Sequence, residues 1–309
     1  MTADPLVLAH GEARALVAPL GAEARAWSVG GVELLWPGDP AIWNQISPIL
    51  YPVVGWTRDG ARVGGKFYAL GLHGFAAKHE FHVEARDADF ARLVLRDDAA
   101  TRAIYPFAFR LAVEYRLSAT ELEIAIEVEN PGDEPAPYAC GLHPGFNWPF
   151  AGGAREGAAI RFDNDERPEV PVIAPGGLVS KTMRPIPLRG RMLELSDALF
   201  AGGDAVCFLH PASRSLRFEQ SGGTAIEMDF HGFDHIALWT RPGAPFLCLE
   251  AWTGYSDPEG FVGDLFEKPS MRVLQAGERA RHSATWRFYS RAANGANGPA
   301  SASALARAN

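Results

Sequence analysis

Two neighbouring stretches alternate apolar and polar residues without a break. From Phe107 to Leu117, Phe107, Phe109, Leu111, Val113, Tyr115 and Leu117 interleave with Ala108, Arg110, Ala112, Glu114 and Arg116. From Glu121 to Glu129, Leu122, Ile124, Ile126 and Val128 interleave with Glu121, Glu123, Ala125, Glu127 and Glu129. Successive side chains of a strand point to opposite faces, so a period of two means one buried face and one wet face. A helix needs a period near 3.6, which hardly any segment of this chain sustains. Ser118-Ala119-Thr120 joins the two stretches as a hairpin. Such a pair predicts an antiparallel sheet packed on a second layer.

The rest of the chain fits that layer. Glycine and proline, 32 and 23 in number, cut it into short apolar runs. Strands are predicted at Leu6–His10, 13–18, 22–29, 32–36, 80–86 and 91–96. Further strands are predicted at 205–209, 215–218, 224–230, 236–239, Phe246–Trp252 and 284–289. Gly30-Gly31 marks a hairpin turn. Residues 37–66 read as an irregular loop rich in aromatics and amides, a natural place for a ligand site. Residues 150–205 read as long loops with short strands, and 261–267 as a short helical turn. The fold class is all-β. No repeat or linker divides the chain, so residues 1–291 are expected to form one domain. The Ala/Gly/Asn/Ser-rich stretch 292–309 is expected to be a disordered tail.

Charge and motifs exclude several functions. A net charge of −8 with no Lys/Arg cluster lacks the basic footprint of a nucleic-acid groove. No apolar run approaches the roughly 18 residues of a membrane span, and the N-terminus shows no secretory pattern. Cys140, Cys207 and Cys248 are too scattered for a disulfide framework or a zinc pattern, so reduced thiols in the cytoplasm are expected. His79-Glu80 and His82 fit no standard metal spacing, and no HExxH, GxSxG or P-loop motif occurs.

Three places retain polar chemistry in apolar surroundings. The first is Gly141-Leu142-His143-Pro144-Gly145-Phe146-Asn147-Trp148, where a histidine and an amide sit among aromatics. The second is Phe246–Trp252: as a strand, it puts Phe246, Cys248, Glu250 and Trp252 on one face and Leu247, Leu249 and Ala251 on the other. Glu250 is then either an edge carboxylate reaching solvent or a partly desolvated one suited to general-base work. The third is His73, between glycine-rich neighbours. Either histidine alone fits a structural role; with Glu250 they suggest acid–base chemistry on a neutral polar molecule. Trp43, Trp56, Trp148 and Trp252 offer flat faces for sugar rings, although each also suits a core. Only Glu250 stands out as an acid, whereas a glycosidase needs two.

His73-Gly74-Phe75, the Gly-Leu-His-Pro-x-Phe-Asn run at 141–147 and Cys-Leu-Glu-Ala-Trp-Thr-Gly at 248–254 occur in this order. Together they resemble the aldose 1-epimerase (galactose mutarotase) family, in particular its LacX-like bacterial branch. The likeness runs from about Leu6 to Tyr289 and includes Tyr105-Pro106-Phe107 and the loop 48–55. It implies a large antiparallel two-layer β-sandwich with an open sugar cleft, a small sugar as substrate, and neither metal nor organic cofactor. Carried over by position, His143 resembles the general acid for the ring oxygen and Glu250 the base for the anomeric hydroxyl. His73 resembles a sugar-binding histidine, Asp204 is the best match for a binding aspartate, and Asn147 and Trp252 join them as binding candidates. The chain departs from its relatives where they usually carry an arginine: Trp56 and Ala77 stand there, with Arg58 and Lys78 nearby as candidate substitutes. Alternatives are a non-catalytic sugar-binding protein of the same fold and a hexose-6-phosphate mutarotase; the latter needs two or more of Arg58, Arg62 and Lys78 in the cleft.

Overall fold

The computed structural model describes residues 4–290. Arg110–Leu117 pairs antiparallel with Glu121–Glu129 in unbroken register, as the alternation predicts. Both lie within a ten-stranded antiparallel sheet that runs from Leu188–Arg189 at one edge to His82–Arg86 at the other. Its inner face carries Leu111, Val113, Tyr115, Leu122, Ile124 and Trp286, all buried. On its outer face the alternating charges meet across strands. Arg92 bonds Glu84 at 2.9 Å, Glu127 at 2.7 Å and also Glu114, while Arg110 reaches Glu84 at 2.7 Å.

The second layer is a six-stranded sheet built on Phe246–Trp252. His235–Trp239 and then Val206–Leu209 lie on one side; Gly141–Leu142 with Ile49–Leu50, and Gly145–Asn147, lie on the other. Leu247, Leu249 and Ala251 point inward into the same hydrophobic cluster as Leu111 and Trp286, so the two sheets share one core. Phe246, Cys248 and Trp252 point outward into two smaller clusters. Glu250 is therefore on a central strand covered on both faces, which removes the edge-carboxylate alternative. A four-stranded sheet, from Leu6–His10 to Val32–Glu33, lends Trp27 to the main core beside Phe146 and Trp286.

Some local expectations change. Residues 261–267 keep the expected short turn, closed by Asp264 O accepting from the amides of Glu267 and Lys268, without extending into a helix. A helix does form at Ala99–Ile104, held by a reciprocal capping box between Asp98 and Thr101. Its six residues are too few to show a period. Within 150–205, the eight-residue strand Leu178–Pro185 pairs with Glu169–Ala174 and otherwise bridges only Pro258, through Val179. Four of its eight residues are exposed and one is buried, so it lacks the alternation that marks a strand. The stretch 292–309 lies outside the described residues. No helix among the described residues is long and apolar enough to cross a membrane.

Candidate active site

Register alone brings His143 to Glu250. Gly141 pairs with Trp252 and Leu142 with Ala251; beyond the histidine, Gly145 pairs with Cys248 and Phe146 with Leu247. The ladder keeps one register throughout, which sets His143 directly across from Glu250 on the outward face. Their side chains meet at 3.1 Å, Nε2 to Oε2. Trp252, two residues along the same face, donates its Nε1–H to the same Oε2 at 3.1 Å. The glycines flanking His143 are required by close approach. A Cβ on Gly141 would lie 2.7 Å from Trp252 Cδ1, and one on Gly145 would lie 2.9 Å from Trp43 Cζ3. Small residues here let two indoles close around the histidine. Trp43 and Trp239 flank its ring at 5.3 and 5.8 Å between centroids.

His73 approaches from the loop side. Its backbone is left-handed, with φ +58°, and its ring stands edge-on to His143 at 5.4 Å. Its Nδ1 accepts the Gly55 N–H at 3.0 Å, while its own N–H donates to Gly55 O at 2.9 Å. An Nδ1 used as an acceptor leaves the proton of the neutral ring on Nε2, so His73 offers a ligand an N–H donor.

Burial dominates the electrostatics. It lowers His73 to about 4 and holds His143 well below the usual imidazole value, with the neighbouring His73 adding to the latter effect. Burial also raises the Glu250 carboxyl well above the carboxylate range, opposed by the Trp252 N–H. Desolvation thus disfavours charge on either partner. The two shifts favour the arrangement in which neither partner is charged, with the proton on Glu250 and His143 neutral. This is one group able to give a proton and one able to take it. The Nδ1 of His143 is buried with no hydrogen-bond partner.

The pair lies at the floor of a cleft of about 380 Å³, a size suited to one small ligand. His73, Trp252 and Asp204 line it too, so five of the seven residues expected at the site meet there. Asn147 does not. Its Nδ2 donates to Glu33 O at 3.1 Å, beyond the stack of Trp43 on Phe246. Arg58 also stays out of the cleft and lines a neighbouring groove. The cleft adds Gln45, Trp239, Arg241 and Tyr255, which sequence reasoning missed. Trp239 had a usable signal: in its strand it shares the outward face with Ala237, whose partner across the ladder is Glu250. For metal binding, the candidate set is His143, Cys248 and Glu250, whose ligand atoms all lie within 4.8 Å of one another. A thiolate would be needed, whereas burial first and Glu250 second push the Cys248 thiol well up.

The sequence profile of aldose 1-epimerases matches residues 4–285. The chain belongs to the aldose 1-epimerase family. The chromosomal protein LacX of Lactococcus lactis is 31% identical to it over 253 residues, covering 78% of this chain and 84% of LacX. A galactose mutarotase-like protein from Lactobacillus casei superposes with a TM-score of 0.86 at 25% identity, covering 92% of this chain and all of its own. A galactose mutarotase related enzyme from Lactobacillus acidophilus gives 0.83 at 25% identity, over 93% of this chain and 98% of its own. The two-layer sandwich is therefore the galactose mutarotase-like architecture.

Proposed function

We propose that the protein is a cytoplasmic mutarotase that interconverts the α and β anomers of a free aldose. The 3.1 Å contact between His143 and Glu250 at the cleft floor carries this reading. Ring opening needs a proton delivered to the ring oxygen as another leaves the anomeric hydroxyl. In the forward step, His143 gives its proton to the ring oxygen and Glu250 takes the hydroxyl proton. The bond between the ring oxygen and C1 breaks, and C1 becomes an aldehyde. The step thus starts from the charged pair and ends with the proton on Glu250 and His143 neutral; burial favours that end state in the empty cleft too, so the bound sugar must first hold the proton on His143. Rotation about C1–C2 and the reverse transfers close the other anomer. A pair with one proton completes the cycle without gain or loss. His73 supplies an Nε2–H for the ring oxygen, and Asp204 and Trp252 contact the rest of the sugar.

Three buried free cysteines suit a reducing compartment. The phosphosugar alternative does not find the cations expected of it, since none of Arg58, Arg62 and Lys78 lines the cleft; the cation that does is Arg241. Anomer exchange, followed by polarimetry and NMR on a panel of aldoses, tests the proposal. His143→Asn and Glu250→Gln should each lower the catalysed rate by roughly 10²–10⁴-fold while sugar binding persists. Full activity in both variants refutes the acid and base assignment. Saturable binding without acceleration of any aldose favours the non-catalytic reading instead.

A further inference from the structure

The cleft is not closed at its outer end. A second concavity of about 680 Å³ adjoins it, and Trp56 is a wall of both. Three stretches of chain pass from one to the other. Gly55 lines the cleft and Thr57–Gly60 the groove; Leu72 and His73 line the cleft and Ala69–Gly71 the groove. In the third, Gly177 and Val179 face the cleft while Gly176 and Leu178 face the groove. The two hollows are therefore neighbours along three stretches of chain, with Trp56 lining both.

That wall is firmly set. The Trp56 backbone N–H donates to Ser256 Oγ at 3.0 Å, and the indole lies so close to Gly177 that a Cβ there would be 2.3 Å from Cδ1. Yet Trp56 remains 42% exposed and Phe67, further along the groove, 57% exposed. Two large aromatic faces open to water are costly unless something covers them. Beside them Arg58 and Asp59, 3.7 Å apart and both exposed, offer a donor and an acceptor. Flat apolar faces with a few polar groups at the rim match a pyranose, which has C–H faces and hydroxyl edges.

Depth fixes the orientation. The proton-transfer pair is buried at the floor, so the anomeric carbon points inward and the opposite end of the ring points out towards Trp56. We infer that the groove is a second sugar subsite, and that the preferred substrate is a reducing disaccharide or longer saccharide. Its reducing unit occupies the cleft and its next unit stacks in the groove. This inference rests on the reading of the cleft as a site for an anomeric centre.

The test compares glucose with maltose, cellobiose and isomaltose on the full chain, by anomer exchange in NMR and by calorimetric binding. At least one disaccharide should exceed glucose about tenfold in kcat/KM and in affinity. Phe67→Ala should remove most of that advantage, by about 3–10-fold, while glucose stays within twofold because it does not reach Phe67. Acceleration of glucose with no disaccharide preference, and no effect of Phe67→Ala, overturns the subsite and leaves the mutarotase reading standing. Disaccharide-selective binding that depends on Phe67, with no acceleration of any sugar, upholds the subsite and overturns the mutarotase reading. Neither binding nor acceleration overturns both.

Discussion

His73→Asn separates the chemistry of this histidine from its structural place. Asparagine tolerates the left-handed backbone at φ +58°, and its Oδ1 can accept the Gly55 N–H in place of Nδ1. What disappears is the Nε2–H donor and the titration. Burial lowers His73 from 6.5 to about 4. Above pH 6.5 neither the folded nor the unfolded state holds the extra proton. Between 6.5 and 4 the unfolded chain takes it up and the folded one does not, so stability falls as the pH falls. Below 4 both are protonated and the loss levels off. At about 1.36 kcal/mol per pH unit, the loss reaches at most about 3 kcal/mol. Urea unfolding followed by tryptophan fluorescence from pH 4 to 8 measures it. The variant should match the wild type near pH 8 and become relatively more stable, by up to about 3 kcal/mol, near pH 4. His235 and His282, lowered by burial to about 3 and about 4, are present in both proteins and cancel in the comparison; His143, which His73 helps to hold down, does not cancel, and its release in the variant acts in the same direction. A pH dependence that is the same with and without His73 refutes the buried neutral imidazole and the tautomer derived from it.

Two further perturbations test the scaffold. Gly141→Ala places a methyl 2.7 Å from Trp252 Cδ1; it should cost roughly 1–3 kcal/mol in thermal unfolding and weaken turnover by moving the indole off Glu250. An unchanged Tm and rate would mean that this close approach is not a constraint. Lys268 and Asp257 form an almost fully buried ion pair at 2.8 Å, and Asp257 also accepts the Arg58 N–H at 2.7 Å. Lys268→Met alone should cost about 3–5 kcal/mol by leaving the carboxylate unpaired, whereas the double variant with Asp257→Asn should recover part of that loss in chemical denaturation.

The parts of the site that were legible in the sequence are those set by local pattern. Alternation placed Glu250 and Trp252 on one face of Phe246–Trp252, and breakers and aromatics drew attention to His143 and His73. Their meeting required the strand order, which no local pattern contains. Arg241 and Gln45 were missed because loops carry them in, and a loop residue has no period to betray its direction. Asn147 was misleading for another reason, since it lies in the strand Gly145–Asn147. Its place in the motif beside His143 suggested a ligand contact, but its amide is committed to the Glu33 carbonyl. The helix Ala99–Ile104 and the flap strand Leu178–Pro185 escaped because one is too short and the other too exposed to show periodicity.

The expectation that an arginine near the Gly55 loop serves the site is set against the charge that does line the cleft. The chain has Trp56 at that position, and Arg58 points its resources at the groove. Arg241 lines the cleft instead, from the turn after His235–Trp239, and its guanidinium makes no ion pair or hydrogen bond among the described residues. Asp204 faces the same space with the opposite charge. His73 is neutral, and the pair of His143 and Glu250 is neutral as a whole. The cleft therefore balances one cation against one anion around hydrogen-bond donors and indole faces. Such a field has no preference for a net charge on its ligand and rewards hydroxyl groups of both polarities, as a neutral sugar provides. Trp56 carries no charge, and the polar groups of the cleft lie on its other walls. Trp56 adds an exposed aromatic surface that the cleft shares with the neighbouring groove.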